Sequence, residues 1–255
     1  MNYAKPLLIA LFFNALVGSS ALSAPAKPVK QIEPAATTEK GLLFRQKSHL
    51  VGRGDLLITK SGFKLVMPEK ELELLMTAPK WQLRLVNMRD KLYFDADRNA
   101  WTPREDFTSA LYRSVNFRLL RLVKKEPATL QELPTILMHL VGEQYPKDRP
   151  LGKWERLAVK NADYWGYKDE RLNPATIALM ERIYCMPATG YLPLQLKGLN
   201  NKNSPLDELT LTSVTKVNST AADFQLGKEY KAAKSESQVL TNSSAGSMLT
   251  DFAAE

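Results

Sequence analysis

Between Gly54 and Asp95 apolar side chains fall at every second position in short runs separated by turn residues. Leu56 and Ile58 precede Lys60-Ser61-Gly62; Phe63, Leu65 and Met67 precede Pro68; Leu72, Leu74 and Met76 precede Ala78-Pro79. Trp81, Leu83 and Leu85 then lead to Asn87-Met88-Arg89-Asp90, and Leu92 and Phe94 follow. A period of two places these side chains on one face of a strand, and turns this tight make neighbouring strands antiparallel. The run therefore predicts a curved meander with one greasy face. Burying a Leu, Ile or Phe is worth about 1.5–3 kcal/mol each, so that face must be covered by a helix, a second sheet, a partner or an apolar ligand.

The first residues read as an address label. Lys5 gives a positive start, Pro6 to Val17 an apolar core interrupted by Asn14, and Ala21-Leu22-Ser23 the small residues of a cleavage site. Residues 1–23 are expected to be a signal peptide cut after Ser23, with Ala21 as the alternative. The apolar run is too short for a bilayer, which needs roughly 20 residues, and no later segment approaches that length. No transmembrane segment is expected in the mature chain, which is expected to be exported, to the periplasm or outside the cell. No cysteine lies near the cleavage point, which argues against a lipid-modified lipoprotein.

Cys185 is the single cysteine, so an exported chain of this kind has no internal disulfide framework. The net charge of +8 becomes +7 once Lys5 is removed. The excess suits anionic surfaces, but it forms no block of like charges and no nucleic-acid-binding module accompanies it, so nucleic acid is not an expected partner.

Residues 24–41, rich in Ala, Pro, Lys and Thr, read as a flexible lead-in. A strand over Leu43–Val51 opens the meander, and Gly52-Arg53-Gly54 marks a bend or bulge rather than a phosphate loop, because no strand-to-helix context follows. Thr102, Pro103 and Glu105 form a helix start signal, and Phe107, Leu111, Val115, Leu119 and Leu122 recur at three- and four-residue spacing behind it. This predicts an amphipathic helix over 103–123, with Arg104, Arg113, Arg118 and Arg121 on its other faces. A further short helix is expected over Pro134–Val141, making 103–142 a helical insertion. Beyond it, Trp154 to Tyr167 reads as a strand, and Asn173-Pro174 opens a short helix with Ile177, Met180 and Tyr184 on one side. Tyr191–Leu199 is a strand in which Pro193 implies an edge or a strand start, and 200–207 is a polar turn. Leu209 to Val217 is a strand whose change of phase near Ser213 suggests a bulge. Phe224, Leu226 and Tyr230 anchor the last ordered segment, and 234–255 is expected to be a mobile tail.

Two stretches carry a family resemblance. The order strand, strand, Ala78-Pro79-Lys80-Trp81, strand within Gly54–Phe94 is one. The other is the ending: Tyr191-Leu192-Pro193-Leu194-Gln195-Leu196, then Leu209–Val217, then Ala222-Asp223-Phe224-Gln225-Leu226-Gly227-Lys228-Glu229-Tyr230. Over roughly residues 42–232 the chain resembles the periplasmic lipoprotein-carrier and outer-membrane lipoprotein-sorting (LolA-like) superfamily, as a divergent member. The resemblance implies an α+β fold in which a curved antiparallel sheet, a half-open barrel, has helices over its concave face, here as a single domain over 42–233. It also implies a hydrophobic cavity between sheet and helices. The insertion over 103–142 is long, and no residue here aligns with the carrier's functional arginine, so lipoprotein transport itself does not carry over.

Leu56, Ile58, Phe63, Leu65, Leu72, Leu74, Met76, Trp81, Leu83, Leu85, Phe107, Leu111 and Val115 are the candidate lining of such a cavity. Met67, Met76, Met180 and Met186 would make it adaptable, though methionine also serves as an ordinary gap filler. Catalytic chemistry has little to draw on. His49 and His139 are the two histidines, no Gly-x-Ser-x-Gly elbow occurs, and Asp95 and Asp97 sit beside a turn where carboxylates commonly serve the backbone. Tyr164, Trp165 and Tyr167 suit strand packing as well as stacking on a ligand. The sequons at Asn218 and Asn242 matter only in a eukaryotic secretory route. No enzyme activity, cofactor or metal is expected. Two functions remain: binding of a lipid or other apolar molecule in the half-barrel, or a structural or assembly role in the cell envelope through protein contacts with no ligand cavity.

Overall fold

The computed structural model describes residues 38–101, 117–143, 150 and 158–241. The chain divides into a unit of residues 1–35 and a unit from residue 36 onward. The leader and most of the lead-in lie outside the described residues.

Among the described residues twelve strands form one sheet. They are β1 (Glu39–Ser48), β2 (Gly52–Ile58), β3 (Gly62–Met67), β4 (Leu72–Thr77), β5 (Leu83–Asn87), β6 (Leu92–Ala96), β7 (Arg121–Leu130), β8 (Leu133–Val141), β9 (Val159–Tyr167), β10 (Leu192–Asn200), β11 (Pro205–Ser219) and β12 (Lys231–Ala232). Their order is β12-β6-β5-β4-β3-β2-β1-β11-β10-β9-β8-β7. Neighbours are antiparallel except β12, which joins β6 in parallel. The sheet curls. Gln131, in the turn between β7 and β8, donates to the carbonyl of Leu211 on β11 at 2.9 Å. In a flat sheet the three strand spacings between β8 and β11 would hold them about 14 Å apart. A half-barrel fits this curvature.

The meander follows the alternation. Leu56, Leu65, Leu74 and Leu85 stand in cross-strand register through β2, β3, β4 and β5, all buried on one face. The hairpin between β1 and β2 turns over residues 49–51 and re-enters the ladder at Gly52, which pairs with Ser48 and whose φ of +76° suits a residue without a Cβ. Gly54 is a paired residue of β2, opposite Gln46, rather than part of a bend. The bulge expected near Ser213 is at Thr212: Arg45 pairs with Ser213 and Gln46 with Leu211, and the Thr212 hydroxyl donates to the Arg45 carbonyl at 2.9 Å.

Helix α1 (Pro174–Ile183) begins as its sequence dictates. Asn173 Oδ1 accepts from the amide of Ala175 at 2.8 Å, and Pro174 occupies the first turn, where its missing N–H costs nothing. Ile177, Leu179, Met180 and Ile183 are buried in the main core, with Tyr184 just beyond. A second helix, α2 (Glu236–Thr241), buries Val239 and Leu240 in the same core. Asn87 Nδ2 donates to the Val239 carbonyl at 3.1 Å, and Trp101 Nε1 donates to Glu236 at 3.0 Å. No helix among the described residues is long and apolar enough to cross a membrane.

Several expectations need correction. Pro134–Val141 is not a helix but lies within β8, where Leu133, Thr135, Met138 and Leu140 are buried and β-branched residues recur. The helix expected over 103–123 lies outside the described residues up to 116. Its last part is a 3-10 turn at Phe117–Leu119, followed by β7, so Leu119 and Leu122 belong to no helical stripe. Among the described residues the sheet is thus larger than expected, with β7 and β8 in place of helix. β1 starts at Glu39, inside the expected lead-in, and Trp81 stands in a turn ahead of β5. Pro193 marks a strand start, not an edge, since β10 lies between β9 and β11. The strands reach into the expected 200–207 turn, leaving only residues 201–204 outside them. Within the tail expected to be mobile over 234–255, Glu236–Thr241 is a helix.

Candidate functional site

The nine strand residues of the candidate lining, Leu56, Ile58, Phe63, Leu65, Leu72, Leu74, Met76, Leu83 and Leu85, are all buried in one core, and half-buried Trp81 packs against it. Phe107, Leu111 and Val115 lie outside the described residues. Ile177, Leu179 and Met180 of α1, Val239 and Leu240 of α2, and Trp101 and Phe117 share that core. Met67, Met76, Met138, Met180 and Met186 are buried within it.

A polar thread ties α1 to the sheet. The Tyr184 hydroxyl donates to Gln46 Oε1 at 3.0 Å, and Gln46 Nε2 donates to the Pro193 carbonyl at 2.7 Å. Glu181 clamps the loop after α1, accepting from the amides of Thr189 at 2.6 Å and Gly190 at 2.9 Å and from the Thr189 hydroxyl at 3.0 Å. Burial raises its carboxyl pKa, against the pull of those donors.

Among the described residues, the large apolar side chains that are exposed gather at one end of the sheet. Leu119 is 75% exposed, Leu122 44% and Val123 62%. They flank the start of β7, which pairs with β8 and is the last strand of the order. Leu122 faces Leu140 and Lys124 faces His139, so Val123 is the extra residue of a bulge. The five residues from Arg121 to Lys125 are all exposed, three of them basic. Lys124 is paired with the Glu126 carboxylate, and Lys125 stands 5.1 Å from the Tyr191 ring centre.

His139, expected on a helix, is on β8 between two carboxylates. Its Nδ1 lies 2.7 Å from Asp163 on β9 and its Nε2 3.0 Å from Glu126 on β7. Hydrogen bonding to Glu126 and then Asp163 raises the imidazole pKa, because both favour the charged ring. The ring laces the outermost three strands together. His49 is exposed in the turn after β1. Asp95 is held by Arg84, and Asp97 accepts from the Asn99 amide at 3.0 Å, a turn role. Tyr164 and Tyr167 are buried packing residues, and Cys185 is half-buried. Among the described residues no three His, Cys, Asp or Glu side chains converge to hold a metal ion. The exposed edge and the histidine clip went unseen in the sequence. Alternation in Leu137 to Val141 was the available signal for the clip, but an edge exists only once the strand order is known.

No family model matches the chain, and no curated protein sequence matches it. Among solved structures it is similar to an outer membrane lipoprotein-sorting protein domain from Vibrio parahaemolyticus, with 9% identity over 73% of this chain and 89% of that one, TM-score 0.29. It is also similar to a chain of the Pseudomonas aeruginosa MucA/MucB complex, with 16% identity over 78% of this chain and 59% of that one, TM-score 0.29. A LolA superfamily protein from Nitrosomonas europaea is a third, with 10% identity over 75% and 83% and a TM-score of 0.18. Likeness at this level leaves function to be read from the residues themselves.

Proposed function

We propose that this chain is an exported, non-enzymatic binding protein, most simply of the periplasm, that takes an acidic extended segment of another protein onto the open edge of its half-barrel. The observation that carries the reading is the placement of Leu119, Leu122 and Val123. Exposed apolar side chains at the strand that ends the sheet among the described residues would supply both halves of strand addition: main-chain groups for affinity and side-chain contacts for selectivity. Arg121, Lys124 and Lys125 set the sign of the partner. A second copy pairing antiparallel over the exposed stretch Arg121–Lys125 would set Arg121 opposite Lys125, whereas an acidic strand complements these cations. The interior is compatible with the same choice, since the candidate strand residues share one core with residues of α1 and α2.

A Glu-Val repeat peptide as long as β7 tests this by NMR-detected hydrogen exchange. Slowed exchange confined to β7 amides, with binding that weakens as salt rises, supports the reading. Equal binding of a Lys-Val repeat, or protection elsewhere than β7, overturns it. A second reading, a carrier for a lipid or other apolar molecule, draws on the five buried methionines, which offer an interior able to repack. Reproducible lipid in native mass spectra of protein from its own compartment is the result that reading requires.

A further inference from the structure

The outer face of β3 to β6, away from the core, carries a cleft of about 670 Å³. Its floor is the sheet and its far wall is the return of the chain after β11. A 3-10 turn at Ala221–Phe224 lays the Phe224 ring against Gly62, where a Cβ would stand 2.7 Å from it. The chain then runs through Gln225 and Tyr230 into β12, which pairs with Leu92 and Tyr93. Asp223 fastens the turn by accepting from the Thr220 amide at 2.7 Å and the Ser219 hydroxyl at 3.0 Å. The walls are thus built before any ligand arrives. The volume falls in the roughly 300–1,000 Å³ of small-molecule sites.

The lining selects a chemistry. Arg84 projects from β5 between Leu83 and Leu85, which face the core, and stacks 4.5 Å from the centre of the Tyr93 ring. Its Nε and Nη2 are held by Asp95 at 2.6 and 2.8 Å, so it presents the rest of its N–H donors with its charge already balanced. An anionic ligand would meet the Asp95 carboxylate beside the guanidinium. The Tyr230 hydroxyl accepts from Lys91 at 3.3 Å and keeps its own proton to donate, and the exposed Gln225 amide can both give and take. Beside these polar groups stand the Tyr93 ring, with Arg84 over it, the Tyr230 ring, with the Lys91 ammonium 4.9 Å from its centre, and the buried Phe224. An acyl chain would strand the donors without partners, which is costly. A ring with an apolar face and a hydroxyl rim uses both kinds of surface.

We propose that this cleft binds a short neutral saccharide, stacked on the tyrosines and hydrogen-bonded by Arg84 and Gln225. The test is a ¹⁵N NMR titration of the full chain with N,N′-diacetylchitobiose, maltose and cellobiose, with glucose 6-phosphate as the anionic comparison. At least one neutral disaccharide is expected to shift cleft resonances saturably, with a Kd of about 1 mM or tighter. Tyr93→Ala should weaken that binding about tenfold, and Gln225→Ala, on the exposed rim, serves if the first variant does not fold. Asp95→Asn uncovers the guanidinium charge and should raise the preference for the phosphorylated sugar over the neutral one about fivefold or more. The proposal is overturned if no neutral disaccharide shifts the cleft at about 10 mM, if the phosphorylated sugar binds native protein as well as the neutral ones, or if Asp95→Asn leaves the preference unchanged.

Discussion

Removing the hydroxyl of Tyr184 asks whether α1 is a fixed part of the core or a cover that yields. Tyr184 is fully buried and Gln46 is 1% exposed, so Gln46 Oε1 is expected to have no water to turn to when its donor is lost. Leaving one buried acceptor unpaired costs about 1–3 kcal/mol, and Tyr184→Phe changes little else, since the ring stays. Gln46→Leu orphans two groups, the Tyr184 hydroxyl and the Pro193 carbonyl, and should cost about 2–6 kcal/mol. The double variant strands only the Pro193 carbonyl. Its loss should fall short of the sum of the singles by about 2 kcal/mol or more. Urea titrations with unchanged m values measure these differences, and thermal midpoints should fall by about 2–12 °C for the tyrosine variant. A loss below about 0.3 kcal/mol for Tyr184→Phe, with additive singles, would mean that the helix is not seated on β1. The packed-interior argument would then give way to the carrier reading.

The histidine clip is expected to depend on pH. Because the folded pKa of His139 is raised, its contribution is complete below the ordinary imidazole value and is lost as pH rises through the raised one. Exchange of β7 amides, corrected for intrinsic rates, should therefore quicken over that interval in the native protein and lose this step in His139→Gln. Leu122→Asp with Val123→Asp should weaken the Glu-Val peptide at least tenfold by titration calorimetry, without lowering the thermal midpoint, since both side chains are already exposed. Gly62→Ala should displace the Phe224 ring and destabilise the fold by about 1–3 kcal/mol, read by urea titration.

What the sequence discloses here depends on how local the cause is. The meander is local: Leu56, Leu65, Leu74 and Leu85 alternate with polar neighbours, and the turns between them carry Gly, Pro or Asn and Asp. So is the start of α1, where Asn173 and Pro174 act within one turn. β7 and β8 escape the same reading for two local reasons. Their turn, Gln131-Glu132, adopts φ of +48° and +66° without the glycine or asparagine that normally announces such a hairpin. Thr129 and Glu132 also imitate a helix cap, while Leu119 and Leu122 fit a helical spacing as readily as a strand boundary. The candidate lining was legible as apolar and destined for burial. Whether it encloses a ligand or a neighbouring helix was not, because burial follows from area alone while a cavity depends on what the rest of the chain brings across.

The two ends of the sheet are managed differently, and the contrast bears on the proposed partner. β12 is two residues long, too short to template another chain. β7 is ten residues long and carries three protective devices: the bulge at Val123, adjacent lysines, and Pro127, which has no N–H to offer. A strand guarded only against aggregation would place polar side chains beside its bulge. This one places Leu122 and Val123 there, next to Arg121 and Lys124, and locks its middle to β8 and β9 through Glu126, His139 and Asp163. The guards shorten the stretch that can pair, and the cations restrict what can pair with it. On the proposed reading, an edge so confined would discriminate against its own copies while keeping an apolar grip for a strand of opposite charge.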